Sequence, residues 1–478
     1  MTCRPLLLGA GAAALVFAAT PLPSVSALAS AGAAAPGTPA GKLSGAPPDA
    51  ASGAPGAAGE LALQAAIRAE AGGKLGRFYA ARGYRPLWLE NGQSGRPAAL
   101  LLEELGEADL DGLRPGRYDP EALRGALAAA QGGDPRAQAR AELALSRVFV
   151  RYVHEMRETR DVGMTFVGPG LEPPRLDDEA VLRAATAQDL AAHLQTMAWM
   201  SPHYLRLRDL LRTALARGES EEVVAVIRLN IERARVLPPS SVRHIVVDAA
   251  SARLWYYQDG RLAGSMKVVV GAGRTQTPML AGYVGWAVFN PYWNVPDYLT
   301  RDSIARKVLA GRTLASMRME ALSDWGDNPR RIDPATIDWR AVAAGKRDLR
   351  VRELPGPANA MGKVKFVFPN GEGIYLHDTP NRDLLLKENR HFSNGCVRLG
   401  NADELGRWLM GAAYRLPAPG SAPEQQVALP VPVPVYLTYL TAGASVEGAR
   451  KNGASRDGVV LLDDVYGRDA RPRQVAAR

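Results

Sequence analysis

Two residues able to act as nucleophile and base lie close together in the last quarter of the chain. Cys396 follows a Ser-Asn-Gly turn (393–395), and His377 lies 19 residues before it. The other cysteine, Cys3, precedes an apolar run typical of a secretory signal that is removed on export. An exported protein with a single thiol has no disulfide partner for it, so the thiol is expected to have a chemical task. The pattern predicts a cysteine nucleophile with a histidine base.

The thiol needs help, because only a small fraction of it is ionised at neutral pH. His377 is expected to take its proton. Alternation along the strand that ends at His377 places Tyr375 on the same face, where it is a candidate substrate contact or oxyanion donor. The backbone amides of Gly395 and Cys396 are candidates for an oxyanion hole. Either the carbonyl or the carboxylate of Asp378 would orient the imidazole.

These residues also have a purely structural alternative, in which Cys396 is a small buried side chain and His377 an ordinary strand histidine. The single thiol and its turn favour catalysis. A zinc site formed by His377, His391 and Cys396 is an alternative that lacks metal-ligand spacing and an evident fourth ligand. His391 is the second-choice base, because it lies in a polar loop. The sequence contains no Gly-x-Ser-x-Gly motif to support a serine hydrolase.

The chain changes from helical to strand-like periodicity, which predicts an α+β multidomain protein: an all-helical N-terminal scaffold, then a mostly β catalytic domain. A long polar stretch with few strand signals (294–362) interrupts the second half and is expected to cap the site. The predicted segments are a signal peptide (1–29), an Ala/Gly/Pro-rich linker (30–58), the scaffold (59–240), the catalytic domain (241–470) and a tail (471–478).

Short motifs predict individual boundaries. Asp134 before a proline is an expected helix N-cap. Asp259-Gly260 predicts a hairpin turn between two β-rich runs. Asn401 with Glu404 predicts the start of a helix after the nucleophile turn. A Pro/Ala-rich stretch (416–432) leads to the next strand candidate.

The formal charge of +9 and the pI near 9.5 suit an acidic polymer or surface. The arginines are scattered and no basic run alternates with aromatic residues, so nucleic acid is not an expected partner. After the first apolar run, no stretch approaches the length of a membrane span. We expect an exported protein, tethered to the membrane only if its N-terminal segment stays uncleaved.

The stretch from His377 to Leu399 resembles the active-site signature of the L,D-transpeptidases, whose catalytic domain is of the YkuD type. Three further parts are similar to the large, YcbB-like periplasmic subgroup: residues 290–296, residues 375–380 and residues 463–469. The aromatic turn at 78–88 is similar to the scaffold of that subgroup. Asn394 departs from the second histidine of many members, but that histidine is not the base.

The resemblance implies a periplasmic acyltransferase of peptidoglycan biosynthesis, with a role in cell-wall organisation and cell shape, and a carbapenem target. Cys396 would attack a tetrapeptide stem, release D-alanine and hold the stem as a thioester. A neighbouring stem would resolve the thioester into a 3→3 cross-link. His377 would move the proton, and the amide of Gly395 would hold the oxyanion. Tetrapeptide stems are the implied donor and acceptor, with other cell-wall enzymes as partners and the oligomeric state left open.

The candidate substrate-binding residues are Tyr375, Arg398, Trp293, Ser393 and Asn394. A structural salt bridge is an equal alternative for Arg398. The stretch 204–238 is too short for the peptidoglycan-binding module that large relatives carry there. Wall binding is therefore expected to depend on the scaffold, the 294–362 insertion and the basic surface.

The same site could serve reactions other than cross-linking, because water or another amine can also resolve a thioester. The alternatives are an L,D-carboxypeptidase, D-amino-acid exchange, attachment of protein to the wall, and a catalytically silent wall-binding scaffold. An unrelated cysteine peptidase usually has its cysteine before its histidine, whereas here the histidine comes first.

Overall fold

The computed structural model describes residues 55–443 and 459–470, apart from 188, 327 and 419. The predicted signal peptide and tail, and most of the predicted linker, lie outside the described residues. Within them, the predicted order is confirmed: a helical region precedes a mostly β region. None of the described helices combines the length and apolar content that crossing a membrane requires.

The helical region begins inside the predicted linker. Its helices are α1 (Pro55–Glu70), α2 (Gly73–Ala81), α3 (Arg96–Gly106), α4 (Pro120–Ala130), α5 (Pro135–Arg157), α6 (Asp178–Thr186), α7 (Leu190–Gln195), α8 (Pro202–Arg217) and α9 (Glu221–Arg235). The predicted N-cap of α5 is confirmed, since the Asp134 carboxylate accepts hydrogen bonds from the amides of Arg136 and Ala137 at 3.2 and 3.0 Å.

Strands dominate the region after α9, and three short ones lie between helices of the helical region. In chain order the strands are β1 (Leu89–Glu90), β2 (Gln93–Ser94), β3 (Thr165–Phe166), β4 (His244–Asp248), β5 (Arg253–Gln258), β6 (Arg261–Gly271), β7 (Leu280–Phe289), β8 (Trp293–Val295), β9 (Met319–Leu322), β10 (Arg331–Ile332), β11 (Arg350–Glu353), β12 (Val364–Val367), β13 (Tyr375–His377), β14 (His391–Ser393), β15 (Val397–Leu399), β16 (Gln425–Thr438), β17 (Ala442–Gly443) and β18 (Val460–Leu461). The predicted hairpin at Asp259-Gly260 is confirmed between β5 and β6.

The main sheet closes on itself. Its strand order is β12-β13-β15-β6-β5-β4-β16-β7, and pairing of β7 with β12 joins the two ends into a ring. The interior is filled by alternate side chains of these strands, among them Leu254, Phe366, Leu376 and Val397. Side chains of the outer face, such as Val246 and Tyr436 among others, share a second hydrophobic cluster with the helices. The helical region therefore packs against one side of the ring.

The stretch expected to contain few strands differs from that prediction. β8, β9, β10 and β11 form a separate antiparallel sheet in the order β10-β9-β11-β8. This sheet packs with α10 (Asp297–Leu299), α11 (Arg306–Leu309) and α12 (Trp339–Ala343) around a hydrophobic cluster of its own. The strands have two to four residues each, which is too short for alternation to be visible in the sequence. Residues 294–362 are called the capping insertion below.

The segment after the nucleophile turn contains one confirmed and one unexpected element. The predicted helix is confirmed as α13 (Ala402–Met410), and Asn401 Oδ1 accepts a hydrogen bond from the Glu404 amide at 3.1 Å. β16 begins at Gln425, inside the Pro/Ala-rich stretch. Its pairing with β7 is interrupted between Ala428 and Val433, where prolines supply no N–H.

Candidate active site

Two parallel strands carry the catalytic candidates. His377 on β13 is the register partner of Arg398 on β15, and Leu376 is the partner of Val397. Leu376 and Val397 point into the core of the ring. Because neighbouring side chains on a strand point to opposite faces, His377 and Arg398 lie on the outer face, and Cys396 shares it with them.

A turn with left-handed backbone presents Cys396. Gly395 has a φ of +111°, which favours glycine. The Ser393 hydroxyl donates to the Cys396 carbonyl at 2.5 Å and accepts from the Gly395 amide at 3.1 Å. From the loop after β6, the hydroxyl of Thr275 donates to the Ser393 carbonyl at 2.9 Å, and that of Thr277 donates to the Gly395 carbonyl at 2.7 Å. Hydrogen bonds within the turn and from the loop after β6 therefore fix the backbone that carries Cys396.

The Thr277 contact determines the direction of one candidate oxyanion donor. Thr277 is fully buried, so the Gly395 carbonyl that it binds points into the protein. The carbonyl of Gly395 and the N–H of Cys396 belong to one trans peptide unit and point in opposite directions. The Cys396 N–H thus points away from Thr277, whereas the Gly395 N–H is occupied by Ser393.

The thiol is half-buried and protonated at neutral pH. Burial raises the pKa of Cys396, and the Tyr375 amide together with the charges of Arg398 and Lys365 acts in the opposite direction. Its hydrogen-bond partner is the Gly373 carbonyl, which lies 3.6 Å from Sγ. The thiol proton must leave this carbonyl before the imidazole can receive it.

His377 is neutral at the same pH. Its side chain is buried, and burial lowers its pKa to about 4, an effect that the charge of Arg398 strengthens. Nδ1 donates to the Asp378 carbonyl at 2.6 Å, and in this tautomer Nε2 is the basic nitrogen. The Met361 carbonyl also acts on the ring and, like that of Asp378, opposes the lowering of the pKa. The Asp378 carboxylate is engaged elsewhere, by Arg382 at 2.7 Å and by the Lys363 amide at 3.0 Å. Of the two groups that could orient the imidazole, it is the carbonyl that does so.

Arg398 is a cation directly in register with His377. Its side chain is half-buried, burial lowers its pKa, and its Nε is buried without a hydrogen-bond partner. Within the part of the chain that the structure describes, no carboxylate forms an ion pair with Arg398. The salt-bridge alternative finds no support, and the guanidinium is available to a ligand.

The other predicted substrate contacts occupy different positions. Tyr375 is half-buried, and burial and the charge of Cys396 raise the pKa of its hydroxyl. Asn394 is exposed beside the thiol. Ser393 is buried, and its hydroxyl bonds lie within the turn, so the structure makes it a support of the turn. Trp293 is half-buried on β8 and packs against the core of the capping insertion.

Sequence reasoning missed three residues near the thiol. Lys365 is the register partner of His377 on β12, and alternation along that predicted strand could have found it. Tyr298 lies in the capping insertion, and the pKa of its hydroxyl is raised by burial and by the charge of Cys396. Thr277 lies in a loop 119 residues before the nucleophile, and no local signal connects the two.

The zinc alternative and the second-choice base find no support in the geometry. Among the described residues, no group of three histidine, cysteine or acidic side chains could hold a metal ion. Each ring nitrogen of His391 has an oxygen partner, Asn389 Oδ1 at 2.8 Å and the Ala249 carbonyl at 2.9 Å.

Comparison with known proteins identifies two domains in the chain. Residues 242–433 match the model of the YkuD family, the L,D-transpeptidase catalytic domain, and residues 73–211 match that of a scaffold domain. A Haemophilus influenzae protein named "Putative L,D-transpeptidase" is 28% identical over 406 residues, which are 83% of this chain and 78% of that protein.

Similar solved structures cover a smaller part of this chain than the Haemophilus influenzae protein does. An L,D-transpeptidase from Mycobacterium smegmatis is 13% identical, with 41% of this chain and 58% of that chain covered and a TM-score of 0.20. A mutant L,D-transpeptidase of Enterococcus faecium is 14% identical, with 41% and 49% covered and a TM-score of 0.18. The chain thus spans about half of the length of these structures.

Proposed function

The chain belongs to the L,D-transpeptidases that join a YkuD catalytic domain to a scaffold domain in a YcbB-like architecture, and we propose that it cross-links peptidoglycan stems through Cys396. The observation that carries the proposal is the shared outer face of β13 and β15. A protonated thiol, a neutral imidazole of defined tautomer and an unpaired arginine lie together there.

In the first step, Cys396 Sγ turns from the Gly373 carbonyl towards His377 and gives its proton to Nε2. The sulfur attacks the carbonyl of the third residue of a tetrapeptide stem, and the carbonyl oxygen becomes an oxyanion. The intermediate collapses when the C–N bond to the terminal D-alanine breaks. His377 returns its proton to the leaving amine, and a thioester remains on the enzyme.

In the second step, the side-chain amine of a neighbouring stem attacks the thioester. His377 takes a proton from that amine, and the thiolate leaves and is protonated again. The product is a 3→3 cross-link. Both steps balance in protons and electrons with Cys396 and His377 as the reacting groups of the protein, and the proposed chemistry includes no metal and no organic cofactor.

The oxyanion donor in this scheme is the amide of Cys396, because its peptide plane is oriented by Thr277. Gly395 can join it only if its amide leaves the Ser393 hydroxyl. Arg398 would bind a stem carboxylate, with Tyr375 and Asn394 beside the scissile bond. Tyr298 and Trp293 would approach from the capping insertion, with the lid role proposed for 294–362.

The remaining expectations form part of the same proposal. The substrate requires export to the periplasm, cleavage or retention of the N-terminal segment decides whether the enzyme is free or tethered, and the wall is reached through the scaffold and the basic surface. The proposed partners are donor and acceptor stems and other cell-wall enzymes. The proposed domain boundaries stay at 59–240 and 241–470.

The test uses the mature protein and disaccharide tetrapeptides, with products read by mass spectrometry. A dimer one alanine lighter than two substrates, absent with Cys396→Ser, is the expected product. A carbapenem should add its mass to the wild-type protein at Cys396 and leave Cys396→Ser unmodified.

Two other outcomes would redirect the assignment. Tripeptide monomer without dimer would mean that water resolves the thioester, as in an L,D-carboxypeptidase, and an exchanged terminal residue would mean D-amino-acid exchange. Absence of any thiol-dependent product and of a carbapenem adduct would leave a wall-binding scaffold.

A further inference from the structure

A large cavity lies between the helical region and the catalytic domain, and the proposed reaction does not use it. Its volume is about 1230 Å³. Its walls come from scaffold residues 111–117, 155–165 and 229–235 and from catalytic-domain residues 276–279 and 466–468. A cavity of this size admits a peptide of several residues and is much larger than a single ion requires.

Arginine outnumbers the acidic residues in the wall. The acidic members are Asp111, Glu155, Glu158 and Asp161. The arginines are Arg114, Arg117, Arg160, Arg233, Arg235 and Arg468. Arg233 and Arg235 are paired with Asp469 and Glu232, at 2.6 and 2.9 Å, so a negatively charged ligand would have to be bound by the other arginines.

Two of the four acids are already neutralised from behind the wall. Asp111 accepts hydrogen bonds from Tyr152, Tyr204 and Arg208 at 2.9, 2.7 and 3.0 Å. Glu155 accepts from Tyr118 at 2.6 Å, and from an arginine of its own helix. Glu155 also forms an ion pair with Arg117 of the wall at 3.3 Å, so Arg117 brings no free charge to the cavity.

Three of the arginines retain donors for a ligand. Arg114 is exposed and has no side-chain partner among the described residues. Arg160 forms a long ion pair with Glu232, in which Nε and the carboxylate oxygen are 3.8 Å apart, so its donors are not used in a hydrogen bond to that carboxylate. Arg468 donates to Gln276 Oε1 at 2.9 Å, and its Nη1 is buried without a partner. A buried guanidinium nitrogen without a partner is costly unless a ligand oxygen completes it.

We propose that this cavity is a second binding site for a carboxylate-bearing peptide, held by Arg114, Arg160 and Arg468. Planar guanidinium groups match the geometry of carboxylates and phosphates. The exposed carboxylates of Glu158 and Asp161 favour a peptide with a free amine over a ligand with negative charge alone. A stem peptide has both groups, and naming it as the source rests on the proposed function.

The experiment uses the full mature chain with Cys396→Ala, so that no turnover consumes the probe. A photoreactive tetrapeptide stem is bound, cross-linked and mapped by mass spectrometry, and its affinity is measured by calorimetry. The expected result is cross-links in 111–117 or 155–165, with binding at that site about tenfold weaker in Arg114→Glu. Arg261→Glu, at an exposed arginine of the β5–β6 hairpin, should leave it unchanged.

The outcomes separate this proposal from the proposed function. Stem cross-links confined to the catalytic domain near residue 396, unaffected by Arg114→Glu, would overturn the second site even if the wild type forms dimers. Binding of inorganic phosphate in the cavity without binding of the stem would also overturn it. Cross-links in the cavity would support it even if the wild type forms no product.

Discussion

A buried arginine of the helical region is fully paired, whereas a half-buried arginine of the catalytic face has no carboxylate partner among the described residues. Arg235 is almost fully buried, and its guanidinium donates to both Glu232 oxygens at 3.1 and 2.9 Å and to the Met156 and Asp111 carbonyls. Arg398 is half-buried and has no carboxylate partner among the described residues. The paired charge of Arg235 stabilises one arrangement of the chain. The unpaired charge of Arg398 remains available to a ligand that enters the site.

The same contrast holds for other hydrogen-bonded groups. In the helical region the Glu142 carboxylate is saturated by Tyr79 and by the amides of Trp88 and Leu89 at the end of the aromatic turn. On the catalytic face, Nε2 of His377 and the N–H of Cys396 are directed by bonds on their far sides, from Asp378 and Thr277. In the proposed site, hydrogen bonds on the far side of each group fix its direction and leave its reactive atom for the substrate. In the core, hydrogen bonds saturate the group.

The largest expected effect is a loss of stability when the buried pair of Arg235 and Glu232 is broken. Arg235→Ala leaves Glu232 buried without its partner, which should lower the free energy of unfolding by about 3–5 kcal/mol. Denaturant unfolding measures it. Arg124→Ala, at an exposed pair with Glu121, is the matched control and should cost less than about 1 kcal/mol. Equal losses in the two variants would contradict the contrast.

The next effect concerns the orientation of the Cys396 amide. Thr277→Val removes the hydroxyl that holds the Gly395 carbonyl, and should lower kcat for acylation about 10- to 100-fold with little change in KM. Thr277→Ser keeps a hydroxyl and should recover most of the rate. A folded Thr277→Val protein with normal kcat would show that Thr277 does not position the oxyanion donor.

A smaller effect, on KM, is expected when the unpaired charge of Arg398 is removed. Arg398→Gln should raise KM for a tetrapeptide about tenfold, because a substrate carboxylate loses its partner, and should leave the thermal midpoint nearly unchanged. Lys365→Gln is the control on the same face, since Lys365 already has Glu424 at 3.3 Å. A marked loss of stability in Arg398→Gln would instead mean a structural role.

The smallest effect is a displacement of the pH profile. With the His377 pKa at about 4, kcat/KM should fall on acidification only near pH 4, because protonated imidazole cannot accept the thiol proton. Arg398→Gln should move this limb upward, since the arginine charge helps to lower that pKa. A wild-type limb near pH 6.5, the range of an unperturbed histidine, would contradict the buried neutral base.

Local chemistry explains which structural predictions were confirmed. The caps at Asp134 and Asn401 and the turn at Asp259-Gly260 involve partners within a few residues, so they are readable along the chain. The short strands of the capping insertion and the proline-containing start of β16 were missed. The short strands form by pairing with segments far away in sequence. β16 pairs with β7 along most of its length although it contains prolines.

Periodicity and residue type are local properties, so the order of the helical and β regions and the candidate pair Cys396 and His377 could be predicted before the fold was known. Three features of the site became visible in the fold alone: the carbonyl of Asp378 orients the imidazole, Thr277 turns the Cys396 amide outward, and no carboxylate among the described residues pairs with Arg398. Each of these depends on which group occupies a position in space. Hydrogen-bond partners of a buried group are chosen by the packing of distant segments, and spacing along the chain does not encode that choice.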